Sequence, residues 1–389
     1  MKKIVYISDT GLTIYLEKIF FIKYLLKRNV FVEYWNIRKI YSESPTLVDE
    51  IQSSVIVNID SRVQFEEKVK QNRNNTVFIP IITFGWDILW MHIVLHNNKC
   101  YTAFIARGFI PQRGYKISKY SIINRIITSS INISNYKRVI LDKISLLILA
   151  SRSIKRYNTV LCAGASAVAG FKNESNIINV NHHDYDLYLS KKYSDTKIVD
   201  YKYAVFLDEN TPYHPDSRIF NINLIDSETY FAGINNVFQI VEKKYAIKIV
   251  IALHPTSDYD LPVFKDRDMF KYKTNELIKN CEFVLSHAST SVCFPVLYLK
   301  PIIFLYNDKI KRAFGNNQFT LIRIFHEALG GNLYNVDSVS DMEILSIPKV
   351  NHKKYFIYKY NYITSKESEN TLSKEILFEY ITNSDLSTM

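Results

Sequence analysis

Short runs rich in Val, Ile, Tyr and Phe alternate with longer amphipathic stretches along nearly the whole chain. That alternation constrains the fold more than any other feature, because it is the pattern of parallel sheets connected by helical crossovers. In the first half the strand candidates are Lys3–Ile7, Val30–Trp35, Ser54–Ile59, Thr76–Ile82, Cys100–Ile105 and Thr159–Leu161. In the second half they are Tyr203–Leu207, Ile247–Ala252, Phe283–Ser286 and Pro301–Leu305. The spacing predicts helices over Leu12–Arg28, Thr229–Lys244, Thr274–Asn280, Ser291–Leu299, Phe319–Ala328 and Thr371–Tyr380. Within the first, Leu16, Ile19, Phe20 and Tyr24 share one face.

At 389 residues the chain exceeds the roughly 250–300 residues a single core sustains, so two α/β domains are expected. Composition shifts to a polar, Tyr-, Lys-, Asp- and Ser-containing stretch around Asp184–Asp200. The boundary is placed there, giving an N-terminal domain of residues 1–190 and a C-terminal domain of residues 191–389 whose last helix crosses back onto the first. Met1-Lys2-Lys3 and the apolar residues after it read as a first strand, since Ser8-Asp9-Thr10-Gly11 interrupts the run where a signal peptide continues. The longest apolar stretches, such as Ile144–Ala150 and Val292–Leu299, fall short of the roughly 20 residues a membrane helix needs. Cys100, Cys162, Cys281 and Cys293 form no CxxC pair and read as reduced, buried, cytoplasmic thiols.

The net charge of +11 is uneven: between Gln112 and Arg156 stand ten basic residues against one acid, Asp142. Such a segment suits anionic lipid headgroups or an anionic substrate, or is a solvated helical face. Nucleic acid is not an expected partner, because no zinc finger, RNA-binding aromatic motif or helix-turn-helix accompanies the charge.

Three motifs in the second half follow or close a strand, where open α/β sheets bind their ligands. Asp208-Glu209-Asn210 puts two acids at the end of Tyr203–Leu207, where one carboxylate can take a proton from an attacking hydroxyl; a surface turn is the plainer account. His254-Pro255 ends the strand Ile247–Ala252, and proline restricts the residue before it, fixing the histidine at the strand tip. A histidine there can donate to a phosphate oxygen and offset charge on a leaving group. Ser286-His287-Ala288-Ser289-Thr290-Ser291 joins a strand to a helix. Helix N-termini attract anions and hydroxyls add donors, although one N-cap serine accounts for part of the pattern. Asp-X-Asp pairs at Asp184/Asp186, Asp258/Asp260 and Asp266/Asp268 read as polar loops, so no metal ligand is expected. Walker, GxGxxG and GxSxG signatures are absent. On the first half, Asp9, Thr10, Gly11, Gly85, Trp86, Arg107 and Gly108 sit at strand ends suited to an acceptor.

In this order the motifs resemble those of the bacterial sialyltransferases of GT-B architecture and related CMP-sugar transferases, which carry acidic-acidic-Gly, His-Pro and Ser-Ser/Thr motifs. The likeness covers residues 203–305, and Asn210 stands in the glycine position. Asn tolerates the left-handed backbone such a glycine adopts. The resemblance implies a GT-B fold with two Rossmann-like domains facing across a cleft. It further implies inverting, metal-independent transfer of a nonulosonic acid (sialic, legionaminic or pseudaminic type), or Kdo, from its CMP donor. The acceptor would be a surface glycan of capsule, O-antigen or lipooligosaccharide. By the same resemblance Asp208, or alternatively Glu209, is the base, His254 acts at the phosphate, and Pro255, Ser286, His287, Ser289, Thr290 and Ser291 bind the donor. No cofactor is expected, and the place of action is the cytoplasm, in peripheral contact with the inner membrane. Two other readings stand beside it: a transferase using a UDP- or GDP-sugar, and a non-catalytic glycan-binding assembly protein.

Overall fold

A computed structural model describes residues 2–41, 50–111, 133–152, 154, 156–174, 176–194, 196–213, 226–259, 262–312 and 317–383. Arg113, Lys116, Lys119, Arg125 and Lys155 of the basic segment, and Asp260, lie outside the described residues. The chain divides into two compact units. The first comprises Met1–Arg107, Gly114–Asn181 and Glu367–Met389; the second comprises Gly108–Arg113 and His182–Lys366.

The first unit holds a seven-stranded parallel sheet of β1 (Lys3–Ser8), β2 (Phe31–Asn36), β3 (Ile56–Asn58), β4 (Thr76–Pro80), β5 (Tyr101–Ala106), β6 (Thr159–Ala163) and β7 (Asn176–Val180), in the order β3-β2-β1-β4-β5-β6-β7. The second holds a six-stranded parallel sheet of β8 (Tyr203–Leu207), β9 (Lys248–Leu253), β10 (Met269–Lys271), β11 (Val284–Ser286), β12 (Ile302–Tyr306) and β13 (Asn332–Asn335), in the order β10-β9-β8-β11-β12-β13. Both are doubly wound, so each has a switch point where the winding reverses: between β1 and β4, and between β8 and β11. The central strands are buried on both faces, as parallel strands covered by helices must be; all five residues of β4, β6 and β8 are buried.

Four differences from the sequence reading have physical causes. The expected boundary at 190/191 falls at 181/182, because the helix His183–Lys191 packs on Thr274–Asn280 and Cys293–Leu297 of the second unit. Residues 367–389, expected as the end of the second domain with a helix crossing back onto the first, group with the first unit. There the helix Ser373–Asn383 places Leu377 and Ile381, 1% and 0% exposed, in the apolar core formed with Ile4, Tyr6 and Val77. The single helix expected over Leu12–Arg28 is two, Ile14–Ile19 and Ile22–Leu26. Tyr6 Oη donates to the carbonyl of Phe20 at 2.7 Å, and Phe21 turns left-handed with φ 58°, so the helical ladder stops between them. The helix expected over Ser291–Leu299 is a 3₁₀ turn, Thr290–Val292, followed by the short helix Cys293–Leu297.

All four cysteines are free and buried. Under β8, Phe206 contacts Phe238 and Phe264 with ring centroids 5.1 and 6.1 Å apart, and Phe231 meets Phe264 edge-on at 5.3 Å. Edge-on aromatic packing adds to the area these rings remove from water. Phe264 is fully buried, so Phe264→Ala is expected to cost about 3–5 kcal/mol of stability, measured as a lowered midpoint in urea unfolding followed by circular dichroism.

Candidate functional site

The second unit's switch point brings together the ends of β8 and β11, with the end of β9 beside them. Asp208 follows β8, and its N–H extends the ladder by donating to the Ala252 carbonyl at 3.0 Å. Its carboxylate, in a residue 3% exposed, accepts five hydrogen bonds from four groups. Those donors are Asn210 N at 3.0 Å, His254 N at 3.3 Å, Ser257 Oγ at 2.6 Å, and Tyr259 Oη at 3.0 Å to each oxygen. A carboxylate has about four lone-pair sites, so this one is filled. Asp208 therefore fixes the loops after β8 and β9 in this arrangement. Asn210 is left-handed with φ 51°, the backbone that the glycine of the acidic motif would supply.

Glu209 points toward the turn after β11. Its Oε1 accepts from Ala288 N at 2.5 Å, and the N–H groups of Ser289 and His287 also favour the ionised form. Burial outweighs them, and with the Asp208 charge nearby the carboxyl is pushed up to about 8. The residue keeps some exposed surface while the carboxyl itself is withdrawn from water. The N–H groups of this turn thus already face a carboxyl of the protein itself, one that burial keeps largely protonated near neutral pH.

His254 stands just past β9, partly exposed. Its Nδ1 accepts from Thr256 N at 3.2 Å and lies 2.7 Å from Thr256 Oγ1. With Nδ1 accepting, the neutral ring carries its proton on Nε2, a tautomer assigned from these bonds. Pro255 beside it is exposed.

The hydroxyl turn divides. Ser289 Oγ caps the 3₁₀ turn by accepting from Ser291 N at 3.2 Å, Thr290 is exposed, and Ser291 is partly so. Ser286 Oγ and Asn210 Oδ1, both buried, have no hydrogen-bond partner among the described residues; such groups are costly and mark where a polar ligand or water is missing. His287, by contrast, is a core residue. It is 1% exposed, its Nδ1 donates to the Leu305 carbonyl at 2.7 Å, and its Nε2 accepts from Tyr230 Oη at 3.0 Å. Burial lowers its pKa, so it stays neutral and ties β12 to the helix Ser227–Tyr245. Tyr230, Ser257 and Tyr259 were missed in the sequence, since only the fold brings them to Asp208 and His287.

Thr290 and Cys293 also border a small pocket with His182, Tyr358 and Tyr362. Nearby, His182, His183 and Asp184 bring one ligand-capable atom each to within 4.8 Å, and Cys293 Sγ donates to Asp184 Oδ2 at 2.8 Å. Among the described residues this is the group that could hold a metal. It sits at the positive N-terminal end of the helix His183–Lys191, with His182 as its N-cap, a field that favours the carboxylate and opposes a cation.

In the first unit, Asp9, Thr10 and Gly11 follow β1 at that sheet's switch point. Burial raises the Asp9 pKa. Ser8 Oγ accepts from Thr10 N at 3.2 Å. A side chain on Gly11 would strike the Glu50 carboxylate, whose oxygens pair with Arg38 at 2.5 and 3.0 Å. Arg107 donates to the Ile19 carbonyl and lies 5.1 Å from the Phe21 ring, while Trp86 N donates to Asp142 Oδ1 at 2.8 Å. Gly108 belongs to the second unit.

No family model matches the chain, and no curated protein matches it. Solved structures do. A histidine-to-asparagine variant of the wall teichoic acid polymerase TagF superposes with a TM-score of 0.56 at 14% identity, covering 98% of this chain and 88% of that one. A histidine-to-alanine variant gives 0.53 at 12%, covering 98% and 89%. CalG4, the calicheamicin glycosyltransferase, gives 0.50 at 9%, covering 99% of both. At these identities the likeness is one of fold: α/β, of GT-B type with two Rossmann-like units.

Glu209 makes the site pH-sensitive. Its folded pKa lies above the ordinary carboxylate value of 4.5, so the unfolded chain loses this proton first as pH rises. Stability from this group is therefore present below about 4.5 and declines as pH rises to about 8. Glu209→Gln keeps an acceptor for Ala288 N and is expected to flatten that decline in thermal melts taken from pH 5 to 8.

Proposed function

We propose that this chain is an inverting glycosyltransferase that moves a nonulosonic acid or Kdo from its CMP donor onto a bacterial surface glycan. The observation that carries the reading is the meeting of the acidic pair, His254-Pro255 and the Ser289–Ser291 turn at one switch point, on a fold shared with a teichoic acid polymerase and a glycosyltransferase. Open α/β sheets bind ligands at that position.

In this reading CMP leaves with a single phosphate charge to neutralise. His254 Nε2 donates to a phosphate oxygen, and the hydroxyls of Ser289, Thr290 and Ser291 hold the others. Asp208 positions rather than reacts, because its lone pairs are committed to Asn210, His254, Ser257 and Tyr259. Glu209, in its ionised form, takes the acceptor proton as the hydroxyl attacks the anomeric carbon, so with a pKa of about 8 the base becomes available as pH rises toward that value. One displacement inverts that carbon, and no metal takes part in the step. The strand ends carrying Asp9, Thr10 and Gly11 are assigned to the acceptor.

The test is incubation with a panel of CMP-sugars, scoring CMP release with and without acceptor glycans. Acceptor-dependent release is expected for a CMP-linked sugar acid, falling about 100-fold or more in His254→Ala. Thermal stabilisation by UDP or GDP but not CMP would replace the donor assignment. Undiminished activity in cells for both Asp208→Ala and His254→Ala, with folding intact, would instead make the protein a non-catalytic assembly factor.

A further inference from the structure

The helix Ile133–Ser151 of the first unit is apolar on the side where a surface helix is normally polar. Its inward side is accounted for. Leu149, 3% exposed, packs with Leu89 and Ile154, Ser145 is buried, and Asp142 accepts from Trp86 N at 2.8 Å. On the outward side stand Ile140, Ile144 and Leu147, at 55%, 38% and 68% exposure, with Leu146 at 43% beside them. The spacing i, i+4, i+7 sets the first three in one stripe. Lys143 and Arg152 are exposed on the same helix and just after it.

The charge of the sequence segment that contains this helix points to its partner. Between Gln112 and Arg156 the chain carries ten basic residues and one acid. That acid is Asp142, already engaged by a backbone N–H. We propose that this helix lies on an anionic lipid bilayer, with Ile140, Ile144 and Leu147 in the acyl boundary and Lys143 and Arg152 at the lipid phosphates. A bilayer surface satisfies both features at once: aliphatic side chains leave water, while lysine and arginine stems reach to the headgroup level. A second copy of the chain does not, since a twofold contact would bring two basic segments together. Among the described residues no helix is long and apolar enough to cross a membrane, so the contact is interfacial. This inference rests on the first unit's surface and is independent of the chemistry proposed above.

Co-sedimentation of the full chain with phosphatidylcholine vesicles, and with vesicles also containing phosphatidylglycerol, tests it. Binding is expected only to the anionic vesicles and is expected to weaken as salt rises. The triple variant Ile140→Gln, Ile144→Gln, Leu147→Gln is expected to bind at least about tenfold less, with circular dichroism unchanged because the positions are exposed. Leu147→Glu alone gives the same direction should the triple variant misfold. Failure of the wild-type chain to bind anionic vesicles, or equal binding by the folded variants, overturns the proposal. So does a wild-type dimer that the variants convert to monomer without any vesicle binding. CMP release in solution is a separate readout, expected to be unaffected by these changes.

Discussion

The arrangement of the second unit's open edge depends on one buried carboxylate. Asp208 gathers the backbone of the turn after β8, the backbone at the tip of β9, and two hydroxyls from the loop beyond it. Hydrogen bonds to a carboxylate are stronger than neutral ones, and leaving a buried partner unpaired is costly. Without this acceptor, four donors from three stretches of the chain would need other partners in a region where water is scarce. The orientation of His254 follows from it, because the same loop supplies the Thr256 N–H that sets the ring's tautomer.

The two acids have therefore separated into different tasks. Asp208 is saturated with donors, while Glu209 faces a turn whose N–H groups do not offset the loss of water. Adjacent residues after a strand point in different directions, so one sequence step suffices to give two carboxylates contrasting surroundings. The turn that receives Glu209 belongs to the motif first read as an anion cradle. Its N–H groups do favour negative charge; the group they meet in this structure is a carboxyl of the protein itself.

Much of the fold was legible because central strands bury both faces and so appear as unbroken apolar runs. Tyr203–Leu207 and the helix Thr274–Asn280 were located to the residue. The strands left unread, β7, β10 and β13, are all edges, with exposed polar members such as Asn176 and Lys271 and the half-buried Asn332. Edge strands bury less, so their composition carries less signal. The site divides in the same way. The motifs and the tolerance of Asn210 for a left-handed turn could be read along the chain. The roles of Ser257 and Tyr259 could not, because they are defined by Asp208 about fifty residues away. His287 misled for a related reason. A polar residue type beside a hydroxyl-rich turn looked like a ligand, yet its partners are a carbonyl 18 residues on and a tyrosine 57 residues back.

The return of the last helix to the first unit has a consequence for how the chain is born. A ribosome releases the first strands of that unit early, but Leu377 and Ile381 of its core emerge after the whole of His182–Lys366. Of the two units, the one whose strands are made first is thus the last to be completed. The nascent first sheet must wait with part of its apolar face uncovered, a period in which aggregation competes with folding. The second unit, continuous apart from Gly108–Arg113, faces no such delay.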